Sequence, residues 1–408
     1  MYSAREISKN IYWVGGNDRR LEQFENLFPL ENGVSYNSYL FLDEKTAIID
    51  TVDDDITDQY LENITKLMNG RDLDYLVINH MEPDHCGNIE NLVRRYPNVK
   101  VVGNKKSFDL FRQFYNMDIS KNEMLVAEGD VLDLGEHKLK FIFAPMVHWP
   151  EVMMNMETTK GILFSADAFG VFGALTGNLF DDETDYRNLY LDEARRYYSN
   201  IVGKFGAQVQ MVFKKLKDYE INMICSLHGP IFRTEKDLIL SLYDKWSRYE
   251  PEEEGVVLFY GSMYGNTANA VDALANKLGE RGVKNMRIFD VSKTHYSYII
   301  SEIFKYSHMV VAAPTYNMGL YHPMASVLDD MIALGLKNRK VAIIGNHSWA
   351  SAADKIMREK FSTMKDMEIL NDSFDIKSRM KDHEEDKLDE LADIIANSVL
   401  NPEKIDNE

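Results

Sequence analysis

The 408-residue chain holds 65 acidic against 46 basic residues, a formal charge of −19 at pH 7, with 45% hydrophobic and 11% aromatic residues. At roughly 150 residues per domain this length points to two or three globular domains, and the acidic field disfavours nucleic acid and anionic membranes as partners. No apolar run approaches the ~18 residues of a membrane span and the start, Met1-Tyr2-Ser3-Ala4-Arg5-Glu6, lacks the apolar stretch of a signal peptide, so a cytoplasmic protein is expected.

In chain order, the apolar runs Tyr39–Leu42 and Thr46–Ile49, separated by Asp43-Glu44-Lys45, predict a hairpin. A helix from Gln59 to Met68, a strand from Tyr75 to Ile78 and a helix from Ile89 to Arg95 follow, then strands at Lys100 to Val102 and Leu139 to Phe143. The charged, apolar-free stretch Glu250–Gly255 reads as a linker between a domain at 1–250 and another at 255–408. Beyond it, Val256–Tyr260, Met309–Ala313 and Val341–Gly345 are short, nearly continuous apolar runs, each followed by a loop and a helical pattern. Such strands are buried on both faces, which predicts a doubly wound α/β domain with a parallel sheet.

The strand at Tyr75 runs into Asn79-His80-Met81-Glu82-Pro83-Asp84-His85-Cys86-Gly87-Asn88. Pro83 disfavours helix at Glu82, so the segment is expected to stay extended or turning, aiming His80, Glu82 and Asp84 to one side with His85 displaced. Asn88 is the expected N-cap of the next helix. His148, Asp167 and His228 each follow an apolar strand as well. Together these are four imidazoles and three carboxylates, enough for two metal ions sharing Asp167, and mixed oxygen and imidazole donors suit iron or manganese at least as well as zinc.

In the second half, Gly261-Ser262-Met263-Tyr264-Gly265-Asn266-Thr267 joins a strand to a helix from about Ala268 to Arg281, a placement that cradles a phosphate on backbone amides. Pro314-Thr315-Tyr316-Asn317-Met318-Gly319 and Asn346-His347-Ser348-Trp349-Ala350 also sit at strand C-termini, where open α/β sheets bind ligands, and Tyr316 and Trp349 are placed to flank a flat aromatic ring. Cys86 and Cys225 form no Cys-x-x-Cys pair, which excludes a rubredoxin-type module within this sequence, and they are expected to be small buried residues. Asp53-Asp54-Asp55 reads as a solvated turn or helix start, and His137, His295, His308, His322 and His383 show no ligand pattern.

The His80-x-Glu82-x-Asp84-His85 stretch resembles the His-x-His-x-Asp-His motif of the metallo-β-lactamase superfamily, with the second-position carboxylate that marks the flavodiiron proteins. His148-Trp149-Pro150, Asp167-Ala168-Phe169-Gly170 and His228-Gly229-Pro230 are similar to that family's later motifs, and the three C-terminal loops are similar to those of flavodoxin. The resemblance implies an αββα sandwich followed by a flavodoxin-like domain, with FMN held by Ser262, Met263, Tyr264, Gly265, Asn266, Thr267, Pro314, Thr315, Tyr316, Asn317, Asn346, Ser348 and Trp349. One iron would be held by His80, Glu82, His148 and Asp167, the other by Asp84, His85, Asp167 and His228. It further implies reduction of dioxygen to water, nitric oxide to nitrous oxide, or both, an external donor such as rubredoxin or a flavoprotein, and a head-to-tail homodimer. One departure stands out: Phe24-Glu25-Asn26 replaces the family's frequent Phe-His-Gly upstream of Tyr36-Asn37-Ser38-Tyr39, so the resemblance carries the reaction class and not the choice of gas. Two other readings are a metal-dependent hydrolase with a fused flavodoxin-like domain, against which Glu82 and the three loops speak, and an electron carrier with a structural metal, which a closed four-ligand cage would favour.

Overall fold

The computed structural model describes residues 2–402. The chain divides into two compact units between Asp244 and Lys245, within the helix Lys236–Ser247. In the first unit the expected hairpin lies at the centre of a sheet that runs through Arg5–Ser8, Ile11–Trp13, Tyr39–Leu42, Thr46–Ile49, Tyr75–Val77, Lys100–Gly103 and Glu123–Leu125. A second sheet runs through Val131–Asp133, Lys138–Phe143, Met153–Glu157, Ile162–Phe164 and Met223–Cys225. Alternate residues Tyr39, Phe41, Ala47 and Ile49 of the first and Leu139, Phe141, Ile162 and Phe164 of the second form one apolar cluster, as the two-residue period of a strand dictates. The residues between them, such as Leu40, Ile48 and Leu163, are equally buried. Helices with apolar stripes account for this, among them Thr57–Met68 with Tyr60, Ile64 and Met68, and Gly206–Leu216 with Val209, Val212 and Leu216. Asp53 caps the turn Asp54–Ile56 ahead of the first of these by accepting from the Asp55 amide.

In the second unit, parallel strands lie in the spatial order Met286–Asp290, Glu253–Tyr260, Tyr306–Tyr316, Arg339–His347, Met367–Ile369. This is a flavodoxin-like arrangement, and its order reverses between the first and third strands in sequence. Val256, Leu258, Val310, Ala312, Ala342 and Ile344 pack with Val271, Leu274 and Leu278 of the helix Asn266–Glu280 and with Leu388, Leu391 and Ile395 of the helix Glu385–Leu400. The alternate set Val257, Phe259, Met309, Val311, Val341 and Ile343 is fully buried too, which is why these strands read as unbroken apolar runs.

The strand Glu253–Tyr260 begins inside the stretch that composition marks as linker. Glu253 pairs with Tyr306, and the Tyr306 ring fills the space that a Cβ at Gly255 would need. Gly255 therefore serves a close backbone approach within a sheet as well as punctuating the chain.

His308 in this unit is enclosed between Ser307 Oγ (2.7 Å) and Ser398 Oγ (2.9 Å), and burial, aided by the charges of Lys340 and Arg339, pushes it down to about 4. The unfolded chain takes up this proton near pH 6.5 and the folded chain only near 4. The contribution of this group to stability is therefore complete above pH 6.5 and falls by about 2–3 kcal/mol as pH drops towards 4. His308→Gln should remove this loss, measured by denaturant unfolding of the full chain across that range.

Candidate functional site

Each candidate ligand sits just beyond a strand, so the ends of both sheets support the site. After the strand Tyr75–Val77, Glu82 is extended (ψ 142°) and Pro83 opens a one-turn helix, Pro83–Cys86. The expected absence of helix holds at Glu82 and ends at Pro83: the first helical position needs no amide proton, so proline starts a helix there. The turn separates the four donors of the segment into two groups, where alternation would have sent His80, Glu82 and Asp84 to one side. Asn88 occupies the N-cap position of the helix Ile89–Arg95 but makes no capping bond; its Nδ2 donates instead to Val52 O at 2.9 Å.

The first group is His80, Glu82, His148 and Asp167, the second Asp84, His85 and His228, and within each the donor atoms lie within 4.8 Å of one another. His148 Nε2 is 3.1 Å from Glu82 Oε2 and 3.0 Å from Asp167 Oδ2, and His80 Nε2 is 3.1 Å from Glu82 Oε2 and 3.4 Å from Asp167 Oδ2. His85 Nε2 is 3.0 Å from His228 Nε2, 3.2 Å from Asp84 Oδ2 and 3.0 Å from Asp167 Oδ1. Thus one oxygen of Asp167 faces each group. Donors bound ~2.1 Å from one ion stand about 3.0–3.4 Å apart at octahedral or tetrahedral angles, the spacing found here. Both oxygens of Asp84 and Oδ1 of Asp167 have no hydrogen-bond partner in the protein although they are buried. Two ring nitrogens facing each other across 3.0 Å, beside orphaned carboxylate oxygens, fit a pair of metal ions.

The electrostatics agree. Burial would discharge these groups, but their mutual charges prevail. His80 is held well above its ordinary value by Asp167, Glu151 and Glu82, and His85 and His148 are each raised to about 9 by the carboxylates they face. Glu82 and Asp167 stay below the usual carboxylate range against the same burial, because imidazoles surround them. Protons thus supply the positive charge that this cage needs, a role divalent ions take over when bound.

Contacts outside the cage orient the rings. Glu151 Oε1, fully buried, accepts from His80 Nδ1 at 2.8 Å and from the Met81 amide at 2.9 Å, leaving His80 Nε2 for a metal. Ser35 O does the same for His228 Nδ1 at 2.8 Å. The Tyr36-Asn37-Ser38-Tyr39 segment fixes the loop of His228: Asn37 Nδ2 donates to Ser226 O and Gly229 O, and Tyr39 OH to Ser226 O. Gly229 has φ 80° with Val171 packed where a Cβ would lie. Asp50 Oδ1 accepts from the Asn79 and His80 amides. Asp50, Met146, Ala166 and Phe169, all left-handed non-glycine residues near ligands, place backbone strain at the site. Sequence reading passed over Glu151, Ser35 and Asp50, none of which belongs to a ligand pattern; the only cue to Glu151 was its place just after His148-Trp149-Pro150.

A cavity of about 430 Å³ reaches Glu82 and Asp84 past Phe24, Glu25, Tyr36 and Asp53. Phe24, Tyr36 and the fully buried Tyr197 place their rings around His228 at 5.3, 5.8 and 5.5 Å. Glu25, exposed at the edge of this cavity, stands where the resembled Phe-His-Gly motif has its histidine.

In the second unit a cavity of about 510 Å³ is lined by all three expected loops, including every residue singled out except Gly265, and by Met318, His347, Ala350 and Ser378. Gly265 instead turns the chain into the helix Asn266–Glu280 with φ 89°. Ser262 Oγ accepts from the Gly265 and Ala268 amides, and Thr267 Oγ1 accepts from Asn346 Nδ2, so the loops brace one another. No Lys or Arg is among the lining residues, which leaves amides and hydroxyls at a helix N-terminus to hold a phosphate. Tyr264 and Trp349 stand 90% exposed, their faces free for a flat ring.

Asp167→Ala, which removes the oxygens facing both groups, should cost both metals, while His85→Ala should cost less. Glu151→Gln should weaken metal affinity about 10–100-fold. Metal per chain after anaerobic reconstitution measures all three.

Residues 34–229 match the family model described as "ODP family beta lactamase" and residues 258–390 match "Flavodoxin". The anaerobic nitric oxide reductase flavorubredoxin of Escherichia coli is 32% identical over 352 residues, 85% of this chain and 73% of that protein. Among solved structures, the rubredoxin oxygen:oxidoreductase of Desulfovibrio gigas superposes with a TM-score of 0.91 at 26% identity, covering 97% of this chain and 98% of that one. The flavodiiron protein of Giardia intestinalis gives 0.89 at 25% identity, covering 98% and 96%. With a lactamase-like unit that gathers two groups of metal donors and a flavodoxin-like unit that forms a flavin-sized cleft, the chain belongs to the flavodiiron protein family.

Proposed function

We propose that His80, Glu82, His148 and Asp167 hold one iron and Asp84, His85, Asp167 and His228 the other, that the three loops hold FMN, and that electrons pass from the flavin to the irons to reduce dioxygen to water, nitric oxide to nitrous oxide, or both. The observation that carries this reading is the pair of donor groups joined by the fully buried Asp167, with Glu82 in the position where the superfamily's zinc sites have histidine. When bound, FMN and the irons supply the redox chemistry, and the protein supplies placement and shielding. Phe24, Tyr36 and Tyr197 give the His228 side an aromatic surface suited to an uncharged diatomic gas. Asp53 in the approach disfavours anionic substrates. The relatives are named as reductases, and hydrolysis is not favoured.

The chain works in the cytoplasm with a separate rubredoxin or flavoprotein as donor, residues 1–250 carrying the irons and 255–408 the FMN. Tyr264, Met318 and Trp349, exposed at the mouth of the flavin cleft, offer an uncharged rim for electron exchange. Short electron-transfer distance favours a head-to-tail homodimer that sets the FMN of one chain against the irons of the other, a closed two-fold arrangement.

Anaerobically purified protein should contain two irons and one FMN per chain and consume dioxygen or nitric oxide when the flavin is reduced; stoichiometric zinc without iron would sink the proposal. Chains carrying Ser262→Ala and Thr267→Ala, mixed with chains carrying His80→Ala and Asp167→Ala, should regain activity as heterodimers that neither homodimer shows. A verified heterodimer without activity would refute the cross-chain pairing.

A further inference from the structure

The cavity that approaches the metal donors meets one carboxylate of each donor group, Glu82 and Asp84; none of the four imidazoles is among its lining residues, nor is Asp167. Two of the lining residues are buried aromatic rings, Phe24 and Tyr36, and both also pack on His228, at 5.3 and 5.8 Å between ring centroids. They therefore stand between the cavity and this donor. Phe24, only 3% exposed, crosses His228 at 88° and is backed by Phe172 at 5.4 Å and Tyr197 at 6.3 Å.

The two rings are held differently. Tyr36 ends a strand paired with Gly16–Asp18 and leads into the Asn37 contacts that fix the loop of His228. Phe24 sits on a hairpin, Gln23–Phe24 with Phe28–Pro29, that forms a two-stranded sheet of its own. The Leu27 amide closes the turn by donating to Phe24 O at 2.9 Å, and Glu25 and Asn26 take positive φ of 50° and 57°. Asparagine tolerates that conformation, whereas glutamate rarely adopts it. Backbone strain is thus kept where the chain turns to deliver the Phe24 ring to the site.

We propose that Phe24 is a specificity-determining residue of this site, a steric filter that passes molecules of diatomic size to the donors and excludes any as broad as an aromatic ring. This rests on the reading of the donor groups as an iron site. The filter works by volume: a ring packed against His228, Phe172 and Tyr197 cannot be displaced without losing those contacts, so a broad molecule meets a clash that a small one avoids. An alanine in its place would join the cavity to His228.

The test uses the full-length protein loaded with iron and oxidised, and two probes that change colour on binding ferric ion: azide, a short rod, and 4-nitrocatechol, which carries a ring. Both bind as anions, so the charge of the approach weighs on both and size separates them. The unsubstituted protein should give the azide band and no 4-nitrocatechol band in difference spectra. Phe24→Ala should gain the 4-nitrocatechol band, with its azide affinity changed less than about threefold. Phe24→Trp should slow azide binding at least about tenfold. Phe24→Leu, which keeps apolar contact with His228, covers the case in which alanine costs the site its iron, and should gain a weaker 4-nitrocatechol band. Iron content and circular dichroism check that each variant is loaded and folded. Binding of 4-nitrocatechol to the unsubstituted protein, or its continued exclusion from folded, iron-loaded Phe24→Ala or Phe24→Leu, overturns the proposal. Unsubstituted protein that takes up no iron overturns the iron reading and the proposal with it, a failure that iron content alone identifies.

Discussion

Everything in the first unit is arranged around one costly demand: Asp167 is a carboxylate with no exposure to solvent, and it must stay ionised. A buried charge without compensation is strongly unfavourable. Here the compensation comes from imidazoles on both sides, His80 and His148 at one oxygen and His85 and His228 at the other. His80, His85 and His148 are themselves buried and tolerate their charge only because Glu82, Asp84 and Asp167 surround them. The cluster is therefore a coupled network centred on Asp167, whose two oxygens serve both donor groups.

Such a network needs rigid supports, and the sandwich provides them. Its two sheets share one apolar core, so the loops at their ends start from fixed positions: His80 beyond one sheet, and His148, Asp167 and His228 beyond the other. The core strands spend their side chains on packing and leave chemistry to the residues after them. Outer contacts then set the rings, Glu151 for His80 and Ser35 for His228. Left-handed backbone at Asp50, Met146, Ala166 and Phe169 shows that local comfort yields to ligand geometry there.

The second unit solves a different problem with neutral groups. In a chain of net charge −19, the cleft places no basic side chain where a phosphate would sit and relies on amide and hydroxyl donors beside a helix N-terminus. Its aromatic rim projects into solvent because a flat ring needs open faces to stack on, and packed interiors leave none. Hydrogen bonds from Asn346 to Thr267 and between Ser348 and Ser378 tie the loops together, so the cleft exists as a built pocket.

Much of this was legible in the sequence because it is local. The paired apolar runs at Tyr39 and Thr46, the unbroken apolar runs at Val256 and Met309, and ligand types placed just after strands are all read from neighbouring residues. The donor types themselves, including Glu82 in place of histidine, are sequence facts. What the sequence left open depends on distant segments meeting. The segment around Pro83 was expected to extend or turn with His80, Glu82 and Asp84 on one side; Glu82 is extended, but Pro83 begins a helix whose single turn sorts His80 and Glu82 from Asp84 and His85. Glu151 reaches His80 across 71 residues and Ser35 reaches His228 across 193, separations at which no motif or spacing carries a signal. Gly255, which reads as linker punctuation, is a strand position because the Tyr306 ring happens to lie there. The sequence by itself determined which chemical groups were available and which strands would carry them. Only the tertiary structure decided which groups meet, because burial forces charges to find partners wherever the fold brings them, without regard to their distance along the chain.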